Sequence, residues 1–134
     1  MLFPAIALGS LLFSGGAAPE PTQPASCPET VHVTFHVRAG REKDLERVLE
    51  RHWPTLRRLG LALETPHLVL RAPDDAPDKT KLIEILRWRD HDAPDNVPPE
   101  VQRIWDEMKP LVESRGGRPA IDIEEVSIVS GPGV

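Results

Sequence analysis

Two hydrophobic periods alternate along this chain, and their order constrains its fold more than any other feature. Apolar residues first occupy every second position from Val31 to Val37, which predicts a strand with one apolar face. They then recur at steps of three and four residues from Leu45 to Leu59, which predicts an amphipathic helix over about 41–59. The folded part of the chain therefore opens with a strand followed by a helix.

The remaining elements follow in the order strand, strand, helix, strand. They are predicted over 61–71, over 81–89, from Pro98 to the Gly116-Gly117 pair, and over 120–129. A turn rich in proline and aspartate, 72–78, separates the two middle strands. Because proline lacks an N–H donor, we expect Pro54 to kink or split the first helix and Pro110 to bend the second near its end.

This order predicts an α+β domain over 30–130 with the ferredoxin-like βαββαβ topology, in which a four-stranded antiparallel sheet carries two helices on one face. Two helices leave the other face of such a sheet uncovered. The third strand is nevertheless apolar in both alternating rows, namely Ile83 and Ile85, and Leu82, Leu86 and Trp88. Because a strand with two apolar faces is covered on both, we expect a second copy to cover the open face, giving a homodimer.

The first 29 residues differ in composition from the rest of the chain. Residues 1–18 carry no charge and end in small residues, which predicts a signal peptide and therefore export to the periplasm or beyond. The segment lacks an early Lys or Arg, so an uncleaved anchor and an upstream start codon remain alternatives. Residues 19–29 form a proline-rich linker that contains Cys27, either as a free or interchain-paired thiol or as a lipidated one.

Charge and cysteine content exclude several classes of function. The 134 residues carry 16 Lys and Arg against 21 Asp and Glu, and a formal charge of −5 argues against non-specific nucleic-acid binding. One cysteine excludes a disulfide framework and any zinc module that needs several cysteine ligands. Because no glycine-rich phosphate loop or nucleophile elbow occurs either, we predict no metal site and no tightly bound cofactor.

The first strand carries two candidate catalytic bases, His32 and His36, on the same side, with Thr34 between them. Four residues of strand separate the two histidine Cα atoms by ~13 Å, so one metal ion cannot bind both imidazoles within one chain. Either imidazole could act alone as a base or meet a partner chain. A polar strand face or an interface without catalysis remains the alternative.

Glu84 is the third candidate catalytic residue, because it interrupts the apolar stretch of the third strand. A carboxylate buried there needs a partner, or its pKa rises. Paired with a histidine in a pocket, it would form a unit able to abstract a proton from an acidic phenol or C–H group. A salt bridge to Arg38, Arg87 or Arg89 is the alternative.

The three tryptophans divide into two groups. Trp53 and Trp105 fall on the apolar stripes of the two helices, so we assign them to the core. Trp88 ends the third strand beside a charged loop, which favours a position in a pocket wall. We therefore predict Trp88, together with Thr34, to bind substrate.

Three segments give the chain a family resemblance, namely VHVTFHVRAGREKDLERVL, LIEILRWRDHDAP and IWDEM. They resemble the antibiotic biosynthesis monooxygenase-like family of dimeric α/β barrels. That resemblance implies two sheets packed face to face in a homodimer, with a pocket between the sheet and the helices of each subunit. Activities in such proteins include cofactor-free oxygenation of polyketide-like aromatic compounds and haem degradation, and many members have no established reaction.

The haem-degrading branch of this superfamily has a pattern that the chain does not match. In that branch an Asn lies on the first strand, a Trp ends the third, and a haem-ligating His follows. Only Trp88 corresponds, because the first strand lacks Asn and the region of Val97 lacks His. Two functions therefore remain, a dimer that binds an apolar or aromatic compound without catalysis, and a cofactor-independent monooxygenase. Fold alone does not decide between them.

Overall fold

The computed structural model describes residues 27–132 and 134, so the predicted signal segment 1–18 and the linker up to residue 26 lie outside the described residues. The six strands and two helices have the following bounds: β1 Glu29–His36, α1 Glu42–Arg58, β2 Leu68–Pro73, β3 Thr80–Trp88, α2 Pro99–Met108, β4 Ser114–Arg115, β5 Arg118–Pro119 and β6 Ile121–Val126. Short 3-10 turns at Ala93–Asn96 and Lys109–Leu111 flank α2.

The main sheet has four strands in the order β2-β3-β1-β6, and every neighbouring pair is antiparallel. β4 and β5 form a separate two-stranded hairpin. This arrangement confirms the predicted ferredoxin-like α+β fold. In the register of the sheet, Val33 lies opposite Glu84 of β3 and opposite Ile123 of β6. These three residues therefore share one face, because directly paired residues point to the same side.

The hydrophobic core lies between that face and the helices. Alternate residues of β1 and β3 are buried, while the residues between them are partly exposed. The helices contribute their apolar stripes, chiefly Leu45, Leu49 and Leu56 from α1 and Val101 and Ile104 from α2. We call this side of the sheet the helix-facing side and the other the open face.

The proline in α1 does not split the helix, contrary to one alternative from the sequence. The helix continues from Glu42 to Arg58 through Pro54, whose side chain is exposed. One missing N–H removes one backbone hydrogen bond. Because Leu49 and Leu56 on either side of the proline are fully buried in the same core, packing holds both halves of the helix in place.

Two predicted boundaries are wrong, namely the end of the second helix and the start of the second strand. The second helix ends at Met108, because the chain tightens into a 3-10 turn around Pro110. Gly116 and Gly117 do not end that helix; their φ angles of 59° and 75° form the turn between β4 and β5. The second strand begins at Leu68, beyond Pro66, rather than at residue 61.

The open face is apolar across its two neighbouring strands. Ile83 and Ile85 of β3 are partly exposed, and Leu68 and Leu70 of β2 are 52% and 42% exposed. Within the described part of the chain, none of the helices has the length and apolar character needed to cross a bilayer.

Candidate functional site

A cavity of about 390 Å³ lies between the helix-facing side of the sheet, α2 and the β4–β5 hairpin. This volume falls within the range of small-molecule sites. The walls are mainly apolar and aromatic. The lining residues are Val31, Val33, Phe35, His52, Glu84, Leu86, Trp88, Trp105, Met108, Lys109, Arg118, Pro119, Ile121 and Ile123.

Solvent exposure orders the cavity from a deep end to a mouth. Glu84 and His52 are buried and mark the deep end. Ile123 is 68% exposed, and Lys109 and Arg118 are also exposed, so these three mark the mouth. A ligand would therefore enter between β6 and the hairpin and meet polar groups at both ends of an apolar passage.

Glu84 is fully buried in the row of β3 that otherwise contains Leu82, Leu86 and Trp88. Two histidines contact its carboxylate. His52 Nδ1 lies 2.9 Å and 3.0 Å from the two oxygens, and His67 Nδ1 lies 2.6 Å from Oε2. Glu84 therefore pairs with two histidines, neither of which is among the candidate residues predicted from the sequence.

The tautomer of His52 follows from its second neighbour. Trp105 Nε1 lies 3.0 Å from His52 Nε2, and an indole N–H can only donate. His52 Nε2 must accept this hydrogen bond and is therefore unprotonated, which places the ring proton on Nδ1. The Nδ1–H group then donates to Glu84, so His52 is a neutral imidazole held from both sides.

Glu84 remains ionised in spite of its burial. Burial alone would raise the pKa of this carboxyl, but the hydrogen bonds that it accepts from His52 and His67 outweigh that effect and hold the pKa below its ordinary value. A buried carboxylate that fixes the tautomer of a histidine can also stabilise that histidine after it takes a proton, as in catalytic triads. Here the Nε2 lone pair of His52 is occupied by the indole of Trp105, so the pair could accept a proton only once that hydrogen bond opens.

His67 extends this arrangement beyond the cavity. It precedes β2, its ring stacks on Trp53 with a centroid separation of 6.2 Å, and it lines a second groove of about 330 Å³ beside α1 and β2. Hydrogen bonds thus run from Trp105 through His52 and Glu84 to His67. We call these four residues the buried network.

Two of the three tryptophans lie in the cavity wall. Trp88 is buried there, as predicted from its position at the end of a strand, and its ring meets Trp105 edge to face at 6.3 Å. Trp105 was assigned to the core from the periodicity of α2, but it is partly exposed and lines the cavity. Trp53 packs against the edge of the core, and its indole donates to the Leu63 carbonyl at 3.3 Å.

The structure does not bring His32, Thr34 and His36 to the cavity. They alternate with the buried residues of β1 and therefore lie on the open face, whereas Glu84 is opposite Val33 on the helix-facing side. His32 is partly exposed, and its Nδ1 lies 4.0 Å from Glu124. These three residues cannot act together with Glu84 within one chain.

His36 instead lies between two carboxylates. Its Nδ1 is 2.7 Å from Asp74 and its Nε2 is 2.9 Å from Asp122. Partial burial lowers the pKa of His36, but the hydrogen bonds to Asp74 and Asp122 outweigh that effect and raise it overall. Because both neighbours are acceptors, His36 carries a proton on each nitrogen and joins β1 to β6 and to the β2–β3 turn as an imidazolium.

The sequence contains a signal for one of the two missed histidines. His52 falls on the apolar stripe of α1 that Leu45, Leu49 and Leu56 define, so a polar residue stands where the helix meets the sheet. His52 thus interrupts the apolar stripe of its helix in the same way that Glu84 interrupts the apolar row of its strand. His67 lies in a loop with no periodicity, and its contact with Glu84 appears only in three dimensions.

No group of three metal-ligating side chains among the described residues could hold a metal ion. The buried network supplies two imidazoles and one carboxylate, but these groups satisfy one another. The cavity wall therefore contains a carboxylate and an imidazole, those of Glu84 and His52, that are already hydrogen-bonded.

No known family model matches the chain, and no curated protein resembles it in sequence. Solved structures do resemble it. Rv0793 from Mycobacterium tuberculosis matches with a TM-score of 0.57 and 14% identity, over 79% of this chain and 99% of that chain. SnoaB, a cofactor-independent oxygenase from Streptomyces nogalater, matches with a TM-score of 0.57 and 16% identity, over 80% and 98%.

A dimeric ferredoxin-like protein from Jannaschia sp. CCS1 matches with a TM-score of 0.50 and 18% identity, over 75% of this chain and 99% of that chain. Identities this low show a shared fold and nothing finer. Solved structures whose names describe them as antibiotic biosynthesis monooxygenases also match, at 14–18% identity, and confirm the resemblance to such proteins at the level of the fold.

Proposed function

We propose that the protein binds an apolar, aromatic small molecule in the cavity between the sheet and the helices. The observation that carries this proposal is the apolar lining of a cavity large enough for a bicyclic compound. Phe35, Trp88 and Trp105 contribute aromatic surface to its wall, and aromatic rings favour offset or edge-to-face contacts with one another. These rings therefore favour the binding of an aromatic ligand over that of an aliphatic one.

Calorimetric titration with naphthamide, a neutral bicyclic probe, tests this proposal. Ile121→Trp places a large side chain in the cavity and is expected to abolish the heat of binding, because the ring occupies the space of the probe. Val129→Trp is the matched control, since Val129 is 92% exposed and lies outside the cavity. Absence of naphthamide binding to the unmodified protein, or binding unaffected by Ile121→Trp, would contradict the proposal.

The proposed binding protein is a homodimer joined through the open face. Leu68, Leu70, Ile83 and Ile85 form an apolar surface there, and the similar Jannaschia protein is dimeric. Leu70→Glu introduces a charge into this surface and is expected to give a monomer in light scattering at micromolar concentration. Val129→Glu, which adds the same charge elsewhere, is expected to remain dimeric. A monomeric unmodified protein would refute the dimer.

Export is the third part of the proposal and rests on the uncharged segment 1–18 alone. Cell fractionation followed by N-terminal sequencing is expected to find a mature chain outside the cytoplasm that begins just after this segment. A cytoplasmic protein that retains Met1 would refute export without affecting the proposed cavity.

A second candidate function is that of a cofactor-independent oxygenase, the activity of the similar SnoaB. The observation that favours it is the neutral His52 beside ionised Glu84 at the deep end of the cavity. If the indole of Trp105 turned away, His52 Nε2 would accept the proton of a phenolic substrate, and Glu84 would stabilise the resulting imidazolium. Molecular oxygen would then be the co-substrate.

Oxygen uptake in the presence of a naphthalenediol tests this candidate. Uptake is expected to be lost in His52→Gln and retained in His32→Gln, because only His52 lines the cavity. Uptake lost in His32→Gln instead would move the chemistry to the open face. Naphthamide binding without oxygen uptake would leave the protein as a binding protein.

A further inference from the structure

The mouth of the cavity carries positive charge. Lys109 directly follows α2 and Arg118 lies on β5, and both exposed side chains line the opening. Among the described lining residues the only carboxylate is that of Glu84, at the deep end. This local charge contrasts with the whole chain, whose formal charge is −5.

Neither cation at the mouth is strongly neutralised by the protein. Among the described residues, no ion pair involves Arg118. Lys109 Nζ lies 2.9 Å from Asp106, but both side chains are more than half exposed, and such pairs are weak in water. A ligand anion at the mouth would therefore meet one cation without a partner and a second that can exchange its partner at little cost.

The deep end excludes a ligand anion. Glu84 is ionised and buried there, so a second negative charge beside it would be repelled in a medium of low dielectric constant. Both nitrogens of His52 are already hydrogen-bonded, to Glu84 and to Trp105. The deep end therefore accepts the apolar part of a ligand, and the mouth accepts its charge.

We infer that the ligand of this cavity is an amphipathic anion, an aromatic compound whose carboxylate lies at the mouth between Lys109 and Arg118 while its rings fill the passage towards Trp88 and Trp105. This inference rests on the proposed function and adds to it the ionic class and the orientation of the ligand. The charges at the two ends of the cavity, rather than its volume, select the ligand.

Three nearly isosteric probes separate charge from shape. Naphthoate, naphthamide and naphthamidine share one bicyclic ring and carry negative, zero and positive charge at neutral pH. In calorimetric titrations we expect naphthoate to bind about five- to twentyfold more tightly than naphthamide, and naphthamidine to bind most weakly. Raising the salt concentration from about 0.05 M to 1 M should reduce the preference for naphthoate, because the screening length falls to about 3 Å.

Single substitutions test whether Arg118 and Lys109 are the cations that attract the carboxylate of naphthoate. Arg118→Gln and Lys109→Gln are each expected to weaken naphthoate binding about two- to fivefold and to leave naphthamide binding unchanged. Arg103→Gln is the matched control, since this exposed arginine of α2 does not line the cavity. An equal loss in the control would show that net charge, and not the mouth, attracts the anion, and would overturn the inference.

The outcomes for the ligand class and for the proposed function are distinct. Equal binding of all three probes, or tightest binding of naphthamidine, would overturn the anionic ligand and leave the aromatic binding site intact. Failure of all three probes to bind would overturn both. A preference for naphthoate that decreases in Arg118→Gln and in Lys109→Gln but not in Arg103→Gln would support both.

Discussion

The two faces of the sheet each hold a histidine bonded to a carboxylate, but the two imidazoles have different charges. On the helix-facing side His52 donates to Glu84 and accepts from Trp105, so it is neutral. On the open face His36 lies between Asp74 and Asp122 and carries two ring protons. The second neighbour of the ring, an indole donor in one case and a carboxylate acceptor in the other, sets the protonation state.

The buried network and the open-face cluster of His36, Asp74 and Asp122 also differ in the free energy of unfolding that is lost when one partner is removed. The carboxylate at the centre of the buried network has no access to water, so an unpaired group there keeps its full desolvation penalty. Asp122 of the open-face cluster is mostly exposed, and water can replace a lost partner. Substitutions on the helix-facing side should therefore have larger effects than matched substitutions on the open face.

The largest expected effect is that of Glu84→Leu. This change leaves the N–H groups of His52 and His67 without their acceptor in the core, and we expect the free energy of unfolding to fall by about 3 kcal/mol at pH 7. Urea denaturation followed by tryptophan fluorescence measures the change. Glu64→Leu is the control and should have little effect, because Glu64 is exposed and forms a surface ion pair with Arg57.

The same variant should change the dependence of stability on acid. The pKa of Glu84 is lowered below 4.5 on folding, so its stabilisation is complete above pH 4.5 and is lost as the pH falls from there towards 2 and through the lowered pKa. The stability of Glu84→Leu should therefore approach that of the unmodified protein over this range. A stability difference that persists unchanged at pH 2 would contradict an ionised, histidine-bonded carboxylate.

Trp105→Phe is expected to have an intermediate effect. Phenylalanine keeps an aromatic wall but removes the N–H donor to His52 Nε2, and we expect a loss of about 1.5 kcal/mol in the free energy of unfolding. Trp53→Phe is matched in chemistry, and it loses only a longer bond of 3.3 Å to the Leu63 carbonyl. Trp53→Phe should therefore lower the free energy of unfolding by less than Trp105→Phe does.

Nitrogen NMR of the unmodified protein provides an independent check on this pair of variants. The imidazole of His52 should show its proton on Nδ1, because Trp105 Nε1 donates to Nε2. A proton found on Nε2 would exclude the indole hydrogen bond, and with it the assignment of a neutral base to the cavity.

The contrast between the faces also explains what could be predicted from the sequence. Topology depends on periodicity, which is a local property, so the order of strands and helices and the two apolar rows of β3 could be recognised. The boundaries near Pro66, Pro110 and the Gly116-Gly117 pair could not. Gly116 and Gly117 can either end a helix or turn a hairpin, and the packing that decides between these lies elsewhere in the chain.

The candidate site could be predicted only where one strand contained the signal. Glu84 and Trp88 are conspicuous in β3, and both line the cavity. Their partners required the register between elements, because the sheet places Glu84 opposite Val33 and so turns it away from His32 and His36. A sequence pattern shows that a buried carboxylate needs a partner, whereas the tertiary structure determines which histidine supplies it.

The smallest expected effect is that of His36→Gln on the open face. The pKa of His36 is raised above 6.5 on folding, so its stabilisation is complete below pH 6.5 and is lost as the pH rises through the raised value. We expect the variant to be about 1 kcal/mol less stable than the unmodified protein at acidic to neutral pH and nearly equal to it at about pH 9. His32→Gln, on the same face but 4.0 Å from its nearest carboxylate, should show a smaller difference. A stability difference for His36→Gln that grows with pH would show that the open-face imidazole is neutral, and the contrast between the two faces would then disappear.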